Sequence, residues 1–535
     1  MSNNTNLNEL KPWEWFGIFN PNLYNELNSS MLNSFSQTSF RTFDGSSNNM
    51  SNPNWGKAGQ MQKRICLPDY GPGDVAVRGA SNPNPRTISN LICQGTSIPN
   101  DLGLTDIVWG FGQFLDHCIT ITDNQEGASA EKLPITTPPD DVYPGFTIPF
   151  TRSIFKDIDG VRQQFNAMSS FIDGTNVYGT TIERAYALRS LDGTGKMKTT
   201  IGDNGEVLLP YNTEGLPNAS PMGSDPSTFY LAGDVRANEV STLTGVHTLF
   251  VREHNRLCDQ IITNEPGLAG QDEMIYQKAR RWVTAFMQNI TYSEFLPALL
   301  GGQTIQGSYD KNICADMTTE FSTAGFRLGH TMVSSEVQLG SDPSHTVLVR
   351  DIFFTPNYVK INGVDNMLYG STQKRMQNID NIIVEDLRTF LFGPPEMGML
   401  HDLVALNIQR GRDHGIAGYN AVRASYGLST FSNFSDIPTS VDIQNKLASL
   451  YDSVDDIDPW IGLIVENHLP GEAVGELVHT ILVEQFTRLK LGDRCYFEND
   501  PAFTGPERSQ IRFTSLSDIL TRNTSFTFRK DVFHL

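Results

Sequence analysis

The chain has 535 residues, of which 39% are hydrophobic and 19% are charged, so it can bury a large core and a wholly disordered chain is excluded. Lys and Arg number 40 against 60 Asp and Glu, and the resulting net charge of −20 argues against nucleic acid or anionic membranes as partners. Six cysteines without a CxxC pair exclude a disulfide-stapled scaffold and a thiolate zinc module.

The N-terminal region bears on the location of the protein and on its division into domains. Residues 1–24 lack a cationic start followed by an apolar run, so no Sec signal peptide is predicted. No run of about 18 apolar residues occurs, which predicts a soluble protein without a membrane span. Such a protein is cytoplasmic or exported by another route, and a bacterial source fits this pattern. The Asn- and Ser-rich start predicts an arm over residues 1–35 and one large domain over residues 36–535.

Apolar residues at helical spacing dominate the rest of the chain. The first stripe predicts a helix over residues 104–119, and loops are predicted over 125–160 and 190–230. Alternation typical of a strand is short and centres on residues 347–354. The fold class predicted is mainly α, a single large helical domain with few short strands. Further helices are predicted over residues 239–262, 277–297, 317–333, 440–452 and 471–490.

The helix predicted over residues 104–119 carries an unusual polar face. Gln113, Asp116 and His117 are spaced at i, i+3 and i+4, so their side chains project from the same side. A solvated face would carry Lys and Glu, whereas the neighbours here are aromatic residues and glycines. We therefore expect the three side chains to face an enclosed space. A core histidine satisfied by its neighbours is the alternative that gives the same pattern.

Two later segments carry further residues that can act in chemistry. Arg236 and Glu239 lie one turn apart at the start of the second predicted helix. His330 directly follows Gly329, where a flat ligand can approach the backbone closely. Taken singly, each has an ordinary structural explanation, an ion pair for the first and a hydrogen-bonded core histidine for the second.

Taken together, four motifs resemble the signatures of a known family. Residues 109–117 (Trp-Gly-Phe-Gly-Gln-Phe-Leu-Asp-His) resemble the distal-histidine helix of the animal haem peroxidases, within the peroxidase–cyclooxygenase superfamily. Residues 232–239 (Ala-Gly-Asp-Val-Arg-Ala-Asn-Glu) resemble the catalytic-arginine segment of that family, and residues 326–330 resemble its proximal-histidine helix. Residues 406–415 (Leu-Asn-Ile-Gln-Arg-Gly-Arg-Asp-His-Gly) are similar to its most recognisable signature. The motifs occur in family order, so the resemblance covers nearly the whole chain.

The resemblance implies a mainly α domain around a deeply buried haem b, with a role for each motif. His330 would be the proximal iron ligand, and the Asn407 amide oxygen would accept a hydrogen bond from its other ring nitrogen. On the distal side, His117 would move the peroxide proton and Arg236 would stabilise developing charge. Gln113 would hold a distal water or a small anion. An amide accepts more weakly than a carboxylate, which favours a higher iron potential and oxidation of halides or thiocyanate.

The same resemblance implies how the haem is attached. Asp116 and Glu239 would form ester bonds to haem methyl groups. Some relatives add a sulfonium bond from a methionine directly after that glutamate, but this chain has Val240, which carries no sulfur. Arg327 and Arg410 would pair with the haem propionates, because arginine binds carboxylates readily.

Calcium is the second cofactor that the resemblance implies. Ser169, the Phe171 carbonyl, Asp173 and Thr175 match the oxygen ligands of the family's calcium loop. The family usually adds an Asp directly after the distal histidine, where this chain has Cys118. A thiol is a poor ligand for a hard cation, so only the Cys118 backbone carbonyl is expected to serve.

Three functions are compatible with this pattern. The first is a peroxidase that reduces hydrogen peroxide and oxidises small anions or phenolic donors. The second is a fatty-acid dioxygenase of the same superfamily, which needs a tyrosine three residues before the proximal histidine, where this chain has Arg327. The third is a catalytically idle adhesion module, which predicts loss of His117, Arg236 or His330, and all three are present. The first function is therefore favoured.

Overall fold

The computed structural model describes residues 40–535 except 72–75, 80, 222–223, 392, 394, 396–397 and 399. The described part is mainly helical with short strands, which confirms the predicted fold class. The arm predicted over residues 1–35 lies outside the described residues, so the division into an arm and one domain stays a prediction.

Helices are distributed along the whole described chain. The first nine are α1 (Pro85–Ile92), α2 (Ile107–Ile119), α3 (Thr175–Tyr178), α4 (Ile182–Ala187), α5 (Ser241–Asn264), α6 (Asp272–Ile290), α7 (Leu296–Leu299), α8 (Thr319–Thr323) and α9 (Pro356–Asn362). They are followed by α10 (Asp365–Ser371), α11 (Glu385–Arg388), α12 (Leu403–Asp413), α13 (Tyr419–Ser425), α14 (Val441–Leu450), α15 (Pro459–Val465), α16 (Glu476–Leu491), α17 (Gly505–Phe513) and α18 (Leu516–Asn523). Short 3₁₀ turns span Pro226–Thr228, Pro266–Leu268, Gly325–Thr331, Val349–Ile352 and Phe434–Asp436.

The strands form small antiparallel sheets at the periphery of the helices. They are β1 (Gln60–Met61), β2 (Ile135–Thr136), β3 (Thr147–Ile148), β4 (Phe155–Ile158), β5 (Val161–Asn166), β6 (Thr200–Ile201), β7 (Val207–Leu208), β8 (Glu336–Gln338) and β9 (Thr346–Leu348). The largest sheet has the order β1-β5-β4, and the others are the pairs β2-β3, β6-β7 and β8-β9. The strand predicted around residues 347–354 is therefore shorter than expected, because a 3₁₀ turn replaces it after Leu348.

Most of the predicted helices form with shifted ends. The stripes over residues 104–119 and 239–262 become α2 and α5. The stripe over residues 277–297 becomes α6, a π-helical turn at Thr291–Phe295, and α7. Helices α14 and α16 correspond to the last two predictions. Since packing rather than propensity sets most helix ends, such shifts are expected of a pattern read from sequence.

The helix predicted over residues 317–333 is wrong as a continuous element. Helix α8 ends at Ala324, which has φ −127° and ψ −63°, and the 3₁₀ turn Gly325–Thr331 follows. A Cβ atom at Gly325 would come within 2.5 Å of Ile481 in α16, so only glycine permits this close approach. The break leaves His330 on a tight turn rather than on a regular helix face.

Helix α2 is held inside a single extended hydrophobic core. It is apolar on nearly every face, as expected of a fully buried helix. The rings of Phe114 in α2 and Phe250 in α5 stack with centroids 4.8 Å apart, and Gly110 lets α5 approach closely at Thr242. This packing fixes the polar side of α2 against an interior cavity. None of the helices in the described ranges has the length and hydropathy needed to cross a membrane.

Candidate active site

An interior cavity of about 420 Å³ lies between α2, the segment that precedes α5, and the 3₁₀ turn after α8. Its volume falls within the range of ligand-binding cavities. Apolar side chains form much of its wall, including Phe295, Leu299, Phe353, Leu387, Leu391 and Leu403. The polar side chains that face it include Gln113, Asp116, His117, Arg236, Glu239, Arg327 and His330. Seven residues predicted from three separate motifs therefore meet at one place.

Arg236 is held rigidly by a residue that the sequence reasoning did not single out. Its guanidinium donates to both carboxylate oxygens of Asp234, at 2.9 and 2.8 Å, and to the Thr120 carbonyl at 2.9 Å. Burial disfavours the charged form of Asp234, but the adjacent guanidinium and its hydrogen bonds hold the pKa of this carboxyl well below its usual range. Asp234 also accepts from the Arg236 backbone N–H at 2.7 Å, a local turn that the Asp-Val-Arg spacing could have suggested.

The His117 side chain projects from α2 toward Asp234 and Glu239. Its Nδ1 lies 3.4 Å from Asp234 Oδ1, and its Nε2 lies 3.6 Å from Glu239 Oε2. Burial, followed by the charge of Arg236, lowers the pKa of His117 well below its ordinary value. The imidazole is therefore neutral at pH 7 and able to accept a proton at a site where a cation is already fixed.

Asp116 and Glu239 form an acidic pair on the cavity wall. Burial raises the pKa of Asp116 to about 6 and that of Glu239 to about 7. The Asp116 carboxylate lies 3.6 Å from Arg236 Nη1, and Glu239 accepts a hydrogen bond from Gln113 Nε2 at 3.1 Å. Both carboxyl groups still present surface to the cavity, with 29% and 33% of the side chain exposed. They are therefore accessible to a ligand there.

His330 faces the cavity from the 3₁₀ turn, and Asn407 in α12 contacts it from behind. Asn407 Nδ2 lies 2.7 Å from His330 Nδ1, while Asn407 Oδ1 accepts from Arg327 Nη1 at 2.8 Å. The contact predicted between Asn407 and His330 is thus present with the opposite polarity. The physical reason is Arg327, which can only donate and therefore takes the amide oxygen. Burial, followed by the charge of Arg327, lowers the pKa of His330 to about 3, so the ring is neutral and can act as a metal ligand.

The two arginines predicted to meet propionates are placed differently. Arg327 lines the cavity, where burial lowers its pKa to about 10. Arg410 is not among the residues that line it. Its guanidinium donates to Asn124, Ser153, the Thr151 carbonyl and Asp413, and it lies over the Phe150 ring. A role of Arg410 toward a propionate stays a prediction.

The space beside Gly329 shows whether the cavity can hold a planar cofactor. A Cβ atom built on Gly329 meets no other atom within 4 Å and would project into open space beside His330. A neutral histidine, a bare backbone beside it and apolar walls suit a flat, metal-bearing ring system. The residues present therefore fit a haem group.

The predicted calcium ligands lie close together, but their polar groups already form hydrogen bonds with one another. Thr175 Oγ1 donates to the Cys118 carbonyl at 2.7 Å, and the Cys118 thiol lies 3.7 Å from the Phe171 carbonyl. The Phe171 N–H donates to Ser169 Oγ at 3.2 Å, and the Thr175 N–H donates to Asp173 Oδ1 at 3.1 Å. The predicted ligand set is brought together, whereas calcium itself is not confirmed, because these oxygens are engaged by internal donors.

Comparisons with known proteins bear on the family and the fold of the chain. A sequence profile described as "Animal haem peroxidase" matches residues 40–533. Peroxinectin A of Dictyostelium discoideum is 34% identical over 513 residues, which cover 91% of this chain and 93% of that protein. The solved structure of peroxidase A from Dictyostelium discoideum has a TM-score of 0.85 at 32% identity, over 93% of this chain and 99% of that one. A fatty acid alpha-dioxygenase of Arabidopsis thaliana has a TM-score of 0.78 at 18% identity, over 93% and 83%, which shows the fold alone.

Proposed function

Because the chain belongs to the animal haem peroxidase family, we propose that it holds haem b in the cavity and uses hydrogen peroxide to oxidise small anions, such as halides or thiocyanate, or phenolic donors. The observation that carries this proposal is the convergence of His117, Arg236 and His330 on one cavity. His330 would hold the iron, and the bound haem would take up the two oxidising equivalents of peroxide and pass them to the donor. A histidine that binds through Nε2 keeps its proton on Nδ1, so haem binding requires the Asn407 amide to reverse.

His117 carries the proton transfer in this proposal. Cleavage of the peroxide O–O bond requires that one oxygen lose a proton and the other gain one. The neutral imidazole of His117 can take the first proton and return it to the departing oxygen. Its lowered pKa keeps the ring in the accepting form across the neutral range.

Arg236 and Gln113 complete the distal side. Arg236 keeps its charge, because Asp234 more than offsets the effect of burial and raises the pKa of the guanidinium. A cation fixed in advance stabilises negative charge on the departing oxygen without having to move. The side chain of Gln113 is oriented by Glu239 and lies where it can bind a small donor or water.

The pH dependence follows from His117. The folded-state pKa lies well below the ordinary 6.5, so lowering the pH through 6.5 leaves the ring neutral. We expect the second-order rate constant for reaction with hydrogen peroxide to stay nearly constant as the pH falls from 8 through 6.5, and to decline only at lower pH. Stopped-flow absorbance measures this constant directly.

Glu239 lies 3.6 Å from His117, and its own pKa is about 7. Its titration must therefore be separated from that of His117 in the pH profile. The same series on an Asp116→Asn/Glu239→Gln double variant removes that titration and the one of Asp116, whose pKa is about 6, and leaves the His117 titration. A loss of half the rate near pH 6.5 in both proteins would contradict the neutral assignment of His117.

The positions of Asp116 and Glu239 lead us to predict covalent attachment of the haem. Both carboxyl groups face the cavity, and peroxide treatment should link them to the haem as esters. After treatment with a little peroxide, denaturation and extraction with acidified organic solvent, we expect haem to stay with the wild-type protein. An Asp116→Asn/Glu239→Gln double variant has matched side-chain size and cannot form esters, so it should release its haem. Complete release from the peroxide-treated wild type would refute the linkage.

The dioxygenase alternative lacks its radical residue. The position three residues before His330 is occupied by Arg327, which donates to Asn407. The lining residues that the structure describes include no tyrosine. A peroxidase is therefore favoured over fatty-acid oxygenation.

A further inference from the structure

The cluster around Cys118 does not fit the calcium ion that the family resemblance implies. Calcium needs six to eight hard oxygen ligands, and its affinity rises with the number of carboxylates. Here Asp173 supplies the only carboxylate of the five predicted ligands, and Cys118 supplies a thiol where the family has an acid.

The Cys118 side chain contacts two of the other predicted ligands. Its sulfur lies 3.7 Å from the Phe171 carbonyl and 3.9 Å from Thr175 Oγ1, both within the range of sulfur hydrogen bonds. A buried thiol carries a proton and can donate it to the Phe171 carbonyl. Thr175 donates in turn to the Cys118 carbonyl, so two carbonyls that would face a cation face hydrogen atoms instead.

The charge around Asp173 also disfavours a divalent cation. Its Oδ2 is the one carboxylate oxygen here without a hydrogen-bond partner within the described ranges, and a single oxygen is far short of a calcium shell. The guanidiniums of Arg41 and Arg280 act electrostatically on the Asp173 carboxyl, and Arg41 is also paired with Asp493 at 2.6 Å. A calcium ion would add two positive charges to a group in which Arg41 and Arg280 already balance Asp173 and Asp493.

We propose that the Cys118 thiol takes the place of a divalent cation in this cluster, so that the loop of residues 169–175 folds without calcium. The loop matters because it anchors α2. Thr175 donates to the last turn of α2 at Cys118, and Asn176 Nδ2 donates to the Phe114 carbonyl at 2.6 Å. His117 is thus positioned by a metal-free support. This inference does not depend on the haem assignment, since its readouts are metal content and stability.

Metal content and thermal stability of the full-length protein test the proposal. We expect the purified wild-type protein to contain far less than one equivalent of calcium by elemental analysis. Its melting temperature should be the same in excess EGTA and in excess calcium. A Cys118→Asp variant places a second carboxylate beside Asp173, so it should melt several degrees lower than wild type in EGTA and recover in calcium. A Cys118→Ser variant, which adds no charge, should be indifferent to calcium.

Each remaining outcome overturns the proposal. One equivalent of tightly held calcium in the wild type, or a fall of its melting temperature in EGTA, would show that a cation closes the cluster despite Cys118. A folded Cys118→Asp variant that ignores calcium would show that the thiol is not what excludes the ion. If that variant does not fold, the metal content and EGTA response of the wild type decide alone.

Discussion

Replacement of His330 by alanine should leave a folded protein that retains almost no haem. The only side chain proposed to bind the iron is removed, while the cavity becomes slightly larger and its walls stay intact. The ratio of Soret absorbance to protein absorbance after purification measures the loss. Added imidazole should restore part of this absorbance, because a free ring can occupy the space left by the side chain.

His345 offers a matched control for that experiment. It is an exposed histidine away from the cavity, so His345→Ala should bind haem as the wild type does. Rescue by imidazole separates loss of a ligand from loss of the fold. Full haem content and activity in His330→Ala would show that the proximal assignment is wrong.

Replacement of His117 by alanine should have a different effect, slowing peroxide cleavage while haem stays bound. Loss of a general acid–base group typically lowers a rate by a factor on the order of a hundred or more. Arg236 remains fixed by Asp234, so part of the catalysis should survive. Stopped-flow mixing with hydrogen peroxide measures the rate of the first spectral change.

The control for His117→Ala is its own haem content. An unchanged Soret absorbance at rest would show that the proximal side and the cavity are intact. A rate constant within about threefold of wild type would contradict proton transfer by His117, since it lies far from the expected hundredfold change.

The sequence predicted the long helices because their apolar stripes are continuous. Helix α2 formed nearly as predicted over residues 104–119, and its polar face does meet a cavity. The failure over residues 317–333 lies at Ala324, where helix α8 gives way to a 3₁₀ turn. The close packing of Gly325 against Ile481 that follows is a non-local contact, which no local pattern encodes.

The candidate site was predictable in its residues but not in its contacts. Four motifs in family order identified His117, Arg236 and His330, and the cavity brings them together. Asp234 was not identified from the sequence, because its role as a partner of Arg236 depends on its burial, which only the structure shows. The orientation of the Asn407 amide could not be read from the sequence either, because it depends on Arg327, which lies 80 positions away along the chain.

The absorption spectrum of the purified protein before and after addition of hydrogen peroxide tests the central claim most directly. We expect a Soret band at rest that shifts on addition of peroxide and returns when a halide, thiocyanate or phenolic donor is added. Because Val240 offers no sulfur for a third haem bond, the resting band should lack a strong red shift. A protein without a Soret band after supply of haem, or a band that does not respond to peroxide, would contradict a haem peroxidase.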